Sequence, residues 1–272
     1  MNWVINYFEH ISSLHRALIL AGGITFFWLL ETGIPFFNFG YNKWKHAGVN
    51  IFFTITTIIV NFGFAVLIVL SSDWCISHHF GLLQWINMPV WLQLITGLLV
   101  LDLVGAYCIH LIQHKVKWMW KFHMVHHADT YVDTTTANRH HPGESVFRAV
   151  FAIIAVFAAG APIWLIMLYQ SLSVVLSQFN HANINMPEWL DKPLRLIIVT
   201  PNMHRIHHHY VRPETDSNYS NIFSLWDRLF GTYRYTPMKD LHYGLDVLEG
   251  RNDVSITSML KIPFDKNIKT DY

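Results

Sequence analysis

Residues 107–127 read Tyr107-Cys108-Ile109-His110-Leu111-Ile112-Gln113-His114-Lys115-Val116-Lys117-Trp118-Met119-Trp120-Lys121-Phe122-His123-Met124-Val125-His126-His127. His110 and His114 are spaced HxxxH, and His123, His126 and His127 are spaced HxxHH. On a helix, residues three and four apart share a face, with Cβ atoms about 5–6 Å apart. HxxxH therefore aims two imidazoles at one point. HxxHH does the same through its first and last members, with the middle one close by. The apolar run that leads into this stretch, 90–112, carries Asp102 as its one acid. It is long enough to cross a bilayer, which takes about 20 mostly apolar residues. A spanning helix that ends in paired imidazoles predicts metal chemistry just below a membrane surface.

Composition agrees with a membrane location. Of 272 residues, 52% are hydrophobic and only 14% are charged. A soluble domain of this length needs more charge to cover its surface. Eleven Trp and eleven Tyr suit a protein with two membrane interfaces, where rings are apolar at one end and wet at the other. The net charge of +1 gives no basic field for nucleic acid. Cys75 and Cys108 are far apart and form no CxxC, which disfavours disulfide scaffolds, zinc ribbons and thiolate iron–sulfur sites. Both read as plain core residues. Arg16 is the first basic residue, so no positive region precedes the first apolar run, and that run reads as a retained helix rather than a signal peptide.

Two further spans are expected at 14–37 and 49–70. The stretch 145–178 is apolar but broken by Gly160-Ala161-Pro162, and proline stops or kinks a helix. It reads as a hairpin of two arms, each short for a full crossing. The expected fold is all-α: a membrane bundle of about three spanning helices plus the hairpin, capped by a histidine-rich helical region. Its segments are 1–112 (membrane helices), 113–144 (first polar histidine segment), 145–180 (hairpin) and 181–272 (second histidine segment and tail). Lys43 and Lys45 follow the first span, and Lys115, Lys117 and Lys121 follow the third, whereas 71–89 has no Lys or Arg. By the positive-inside rule, the histidine region is expected in the cytoplasm. The 71–89 loop is expected to rest on the outer interface, and the tail after Gly250 to be peripheral.

Twelve of the eighteen histidines lie between His110 and His209. His204, His207 and His208 repeat HxxHH, His141 sits in Arg-His-His-Pro, and His181 in Asn-His-Ala-Asn. Imidazole suits Zn, Fe, Cu and Ni. One tetrahedral ion needs four ligands, so about ten histidines in motif positions point to two ions. Carboxylates behind the rings would orient them, with Asp129, Asp133, Glu144, Asp216 and Asp227 as candidates. Asp102 has two readings: a group near the site, or a structural hydrogen bond to a neighbouring helix. His209 reads as a spare, and His10, His15, His46, His78, His79 and His242 as ordinary surface or interface residues.

The order HxxxH, HxxHH, Thr-Ala-Asn-Arg-His-His-Pro, Asn-His-Ala-Asn and Thr-Pro-Asn-Met-His-Arg-Ile-His-His resembles the fatty acid hydroxylase / sterol desaturase superfamily. Asp216-Ser217-Asn218-Tyr219 and Leu225-Trp226-Asp227-Arg228-Leu229-Phe230-Gly231-Thr232 extend the match, which spans about residues 90–235. The resemblance implies a membrane oxidoreductase with a non-haem di-iron centre that hydroxylates or desaturates a lipid with O₂. Carried over by motif, the iron ligands are His110, His114, His123, His126, His127, His204, His207 and His208, with His141 and His181 as additional members. Leu111 stands where the family often has Arg. Ser177 stands where a fourth HxxxH would place a histidine, which makes His141 the substitute. The chain resembles the bacterial sterol-desaturase-like members more than the fatty acid 2-hydroxylase branch, which implies the bacterial inner membrane. No flavin, haem or ferredoxin motif is present, so the expected partners are a bilayer lipid, O₂ and a separate electron donor. That donor would be ferredoxin- or cytochrome b5-like, with a reductase.

Two rival readings use the same residues. A membrane zinc hydrolase would need a metal-bound water, a carboxylate and only three protein ligands. A metal transporter would hold its ion near the bilayer midplane, whereas these clusters lie at helix ends.

Overall fold

A computed structural model of the protein describes residues 1–236, 241–251 and 253–270. Among these there is no β-strand, only three isolated bridges, and helices dominate. Helix α1 covers Asn2–Glu9, α2 Ser13–Gly33, α3 Lys43–Ser77, α4 Leu82–Trp85 and α5 Val90–Asp102. A π-helical turn, Leu103–Cys108, joins α5 to α6, Ile109–Lys115; α7 follows at Lys117–His127. Then come α8 Pro142–Ala159, α9 Ile163–His181, α10 Glu188–Leu194, α11 Pro201–His207, α12 Leu225–Leu229 and α13 Ile256–Lys261.

The starts of the long helices follow local chemistry. Ser12 accepts from the His15 N–H and opens α2; Asn42 accepts from the Lys45 N–H and opens α3. Five helical stretches among the described residues are long and apolar enough to cross a membrane: Ser13–Gly33, Lys43–Trp85, Val90–Lys115, Pro142–Ala159 and Ile163–His181. The chain is thus an all-α, multi-pass membrane bundle. Its outer surface carries Leu29, Ile59, Phe62 and Val66, each more than 60% exposed, which suits lipid and not water. Exposed Trp44 and Trp189 ring one end of the bundle, and Trp85 and Trp91 the other.

Three expectations need correction. The hairpin arms, 18 and 19 residues long, match the length of a span, because α8 runs unbroken to its left-handed cap at Gly160. Residues 71–77 continue α3, and only α4 remains of the expected interfacial loop. The tail after Gly250 is not peripheral: Met259, Ile262 and Ile268 are buried against Val49, Phe53, Trp120, Met124 and Val125.

The far end of the bundle is closed by glycine. Gly81 and Gly160 both have positive φ, and a Cβ on Gly81 would come within 2.3 Å of the Gly160 nitrogen. Gln84 Nε2 donates to the Gly160 carbonyl, and Ser72 Oγ to the Ala161 carbonyl. This ties the α8–α9 turn to α3 and α4. At the near end, the C-termini of α2, α6 and α9 gather with the N-termini of α3 and α8, and there the histidines meet.

Candidate metal centre

Val116 is extended and breaks the helix between α6 and α7, so α7 folds back and turns its imidazoles toward His110 and His114. The π-helical turn sits just ahead of His110, where such turns reset helical phase at functional sites. Thr200 opens α11 by accepting from the Met203 N–H, and Pro201 occupies its first turn. From these elements, nine buried histidines form two groups among the described residues. The first is His110, His114, His123, His127 and His207; the second is His126, His181, His204 and His208. Within each group, one ring nitrogen from every member lies within 4.8 Å of the others.

The two HxxHH motifs are used in crossed fashion. In α7, His123 and His127 enter the first group and His126 the second. In and just after α11, His204 and His208 enter the second and His207 the first. The i, i+4 pair therefore shares a group, and the middle residue reaches into the other. The groups adjoin, with His127 and His208 stacked at 4.7 Å between ring centroids.

Hydrogen bonds behind the rings set the tautomers. His110 Nδ1 donates to the Tyr219 carbonyl at 2.7 Å, His181 Nδ1 to the Ser177 carbonyl at 2.7 Å, and His207 Nδ1 to the Ser217 carbonyl at 2.6 Å. His123 Nδ1 lies 2.7 Å from Glu144 Oε1, and His114 Nδ1 3.2 Å from Asp216 Oδ1. A carbonyl only accepts, so these Nδ1 atoms carry the proton and Nε2 is left with a lone pair. The rings are also neutral, because burial holds His123, His126, His127, His204, His207 and His208 well below the usual histidine range.

For His110 and His123 two lone pairs face one another, Nε2 to Nε2 at 3.1 Å, and two acceptors at this distance repel. His181 Nε2 turns its lone pair on His126 Nε2 at 3.2 Å and on His204 Nε2 at 3.1 Å. Two imidazole nitrogens on one divalent ion, each about 2.0–2.1 Å from it, fall near this separation. His114 Nε2, His207 Nε2 and both ring nitrogens of His127 and His208 are buried with no hydrogen-bond partner among the described residues. Buried orphans of this kind cost stability unless something satisfies them. The residues present fit metal ions.

The surrounding carboxylates divide their work. Glu144 and Asp216 stand behind His123 and His114. Asp227 accepts from the Tyr219 and Ser220 N–H groups, and Asp102 from the Ile222 and Phe223 N–H groups and from Trp226 Nε1. Together they pin the loop that offers its Tyr219 carbonyl to His110. Asp102 thus takes the structural role of its two readings, although its partners lie in a loop and a short helix. Asp129 and Asp133 serve a different ring, His46.

His46 overturns the reading of a surface residue. It is fully buried, its Nε2 lies 2.8 and 2.9 Å from the two Asp129 oxygens, and Asn50 and Thr136 join the same network. Burial pushes the Asp129 carboxyl up, but His46 and Arg139 outweigh it and hold it well below the usual range. The network secures the turn directly after His127. One signal was available: His46, Asn50 and Thr54 recur every fourth residue inside an apolar run.

His141 is placed outside both groups. Its Nδ1 accepts from the Gly143 N–H at 3.0 Å and caps α8, and its ring packs on Phe122. The neighbouring His140 comes closer, 5.2 Å from His126 between centroids, yet belongs to neither group.

Spanning helices that end in two sets of inward-facing neutral imidazoles define a membrane-embedded protein with two groups that could hold metal. The sequence comparisons give the family: the profile described as "Fatty acid hydroxylase" matches residues 94–232, and the chain belongs to that family. The chain is 28% identical to ornithine lipid hydroxylase OlsE of Rhizobium tropici over 210 residues, 77% of this chain and 60% of that protein. It is 29% identical to alkylglycerol monooxygenase of Danio rerio, covering 69% of this chain and 40% of that protein. It is 31% identical to a cholesterol 25-hydroxylase-like protein of Danio rerio over 46% of this chain and 49% of that one. The chain therefore spans between two fifths and three fifths of the length of these relatives. No solved structure matches it significantly.

Proposed function

We propose that this protein is a membrane-bound, iron-dependent lipid oxygenase that hydroxylates or desaturates a lipid C–H bond with O₂ and externally supplied electrons. The observation that carries this is the pair of adjoining imidazole groups at the membrane end of the bundle, in a family whose named relatives are lipid hydroxylases and monooxygenases. His110, His114, His123, His127 and His207 would hold one iron; His126, His181, His204 and His208 would hold the other. Bound iron supplies what side chains cannot, the activation of O₂ and attack on an unactivated C–H bond.

The chain's own residues do the rest. Backbone carbonyls of Tyr219, Ser177 and Ser217 keep the rings in the ligating tautomer. Burial keeps them neutral and excludes water, which protects a reactive site. The histidine end also carries Lys43, Lys45, Lys115, Lys117 and Lys121, which supports a cytoplasmic site in a bacterial inner membrane. A ferredoxin- or cytochrome b5-like carrier with its reductase would deliver electrons there. The relatives named above are oxygenases, which leaves the zinc hydrolase reading without support.

Metal content of detergent-purified protein, with iron supplied during growth, tests the proposal. Two irons per chain are expected, falling when His123 and His207 are both replaced by Ala. Lipids incubated with isotopically heavy O₂ are expected to gain the label, or to lose two hydrogens. A single tight zinc, with lipid cleavage that proceeds without oxygen, would overturn the proposal.

A further inference from the structure

The end of α2 and the residue after it present Phe26, Phe27, Leu30 and Ile34 to one cavity. Leu190 and Leu194, one turn apart on α10, line it as well. Phe179 of α9, with Ile184 and Met186 from the segment that follows, completes the lining. The enclosed space is about 300 Å³, at the small end of the range for ligand sites. Its walls grade from outside to inside: Phe26 is 61% exposed and Ile34 48%, whereas Phe27, Ile184 and Met186 are buried. Asn185 is the one polar residue of the lining, and no charged side chain belongs to it among the described residues.

The open side faces the bilayer. Helix α2 is a membrane span, and Leu29 beside Phe26 is 70% exposed on its outer surface. The mouth therefore continues the lipid-facing surface of α2, at the histidine end of the bundle. Trp189, Leu196 and Ile197, each more than 60% exposed, flank it on and just after α10. Exposed apolar and indole groups at a helix end rest where acyl chains meet head groups. A free fatty acid would find no partner for its carboxylate in this lining. A chain whose polar head stays outside fits it.

The buried wall bears on the metal centre. Ile184 pairs with Pro35 in an antiparallel bridge, and the Asn185 N–H donates to the Ile34 carbonyl at 2.8 Å. From the other side, Asn202 Nδ2 donates to the Met186 carbonyl and Arg205 Nη2 to the Ile184 carbonyl. Asn202 and Arg205 belong to α11, which also carries His204 and His207. Phe179 precedes His181 by two positions, about 200° around the helix, so the cavity and the imidazoles lie on opposite faces of α9.

We propose that this groove holds one acyl chain of a bilayer glycerophospholipid as a resident lipid, and that the chain steadies the 184–186 segment on which α11 rests. The lipid is a structural ligand and not the substrate, so the inference stands apart from the oxygenase reading.

Photolabelling tests it. The purified chain is placed in vesicles of phosphatidylethanolamine and phosphatidylglycerol, with a trace of phosphatidylethanolamine carrying a diazirine midway along one acyl chain. After illumination, residues 26–34 and 188–194 are expected to carry about tenfold more label than the lipid face of α3 at Ile59, Phe62 and Val66, as site-selective binding of about 1.4 kcal/mol would give. Leu190→Trp and Leu194→Trp, which fill the groove, should each remove that excess and leave the α3 labelling as in wild type. Stripping phospholipid by detergent exchange should lower the wild-type unfolding midpoint, its return should restore it, and Leu194→Trp should respond far less. Label spread evenly over α2, α10 and α3 overturns the proposal, as does an excess that survives in both Trp variants. Labelling of the groove by diazirine palmitic acid but not by the phospholipid also overturns it. An equal midpoint shift in wild type and Leu194→Trp removes the steadying role.

Discussion

A single proton on each of five imidazoles sets what this site can hold. With Nδ1–H committed outward, each of these Nε2 atoms turns a lone pair inward; backbone carbonyls make the choice at three rings and carboxylates at two. Glu144→Gln should weaken the hold on His123 and lower metal affinity about 10–100-fold, as changes behind a metal ligand do. Equilibrium dialysis against a competing chelator measures it; unchanged affinity would mean that Glu144 does not orient the ring. His141→Ala should behave oppositely. It should keep full metal content and cost about 1 kcal/mol through the lost cap on α8. Metal loss in that variant would return His141 to the ligand set. The grouping of the rings was legible because HxxxH and HxxHH carry a geometric consequence. The carbonyls of Tyr219, Ser177 and Ser217 were not, since any residue type supplies one. The split between His140 and His141 was likewise hidden, because it depends on where α8 begins.

Helices position these rings only if their far ends stay registered. Gly81 and Gly160 approach so closely that a methyl on Gly81 would strike backbone atoms. Gly81→Ala also forces a side chain onto a positive φ, and several kcal/mol of destabilisation is expected. Thermal unfolding in detergent should show a lower midpoint than wild type; an unchanged midpoint would show that the turn yields. Span positions could be read from hydropathy, and the break between α8 and α9 from Gly160-Ala161-Pro162. The lengths of the arms could not, because the short-arm reading discounted polar residues at the helix ends that the bundle buries. The π-helical turn at 103–108 had no local signal either. It answers to tertiary contacts, with Asp102 anchored to the Ile222 and Phe223 N–H groups before α12 and to Trp226 within it.

Across the whole molecule, the membrane bundle and the polar cap act as one body. Met259 and Ile262 pack beneath α7 on Trp120 and Met124. Ending the chain after Gly250 should therefore lower both metal content and thermal stability, although the removed residues include no proposed ligand. Metal removal by chelator should also lower the unfolding midpoint, because inward lone pairs lose their partner. The tail's role was illegible because its apolar residues are sparse and match no helical stripe. The crossed use of the two HxxHH motifs has a consequence for biosynthesis. Four of five rings in the first group lie between residues 110 and 127, whereas three of four in the second come from 181–208. If the two groups hold ions as proposed, the first would be complete but for His207 while most of the polar cap is still unmade. On the proposed assignment the second would wait for the hairpin to insert, and a half-filled intermediate is the expected first product.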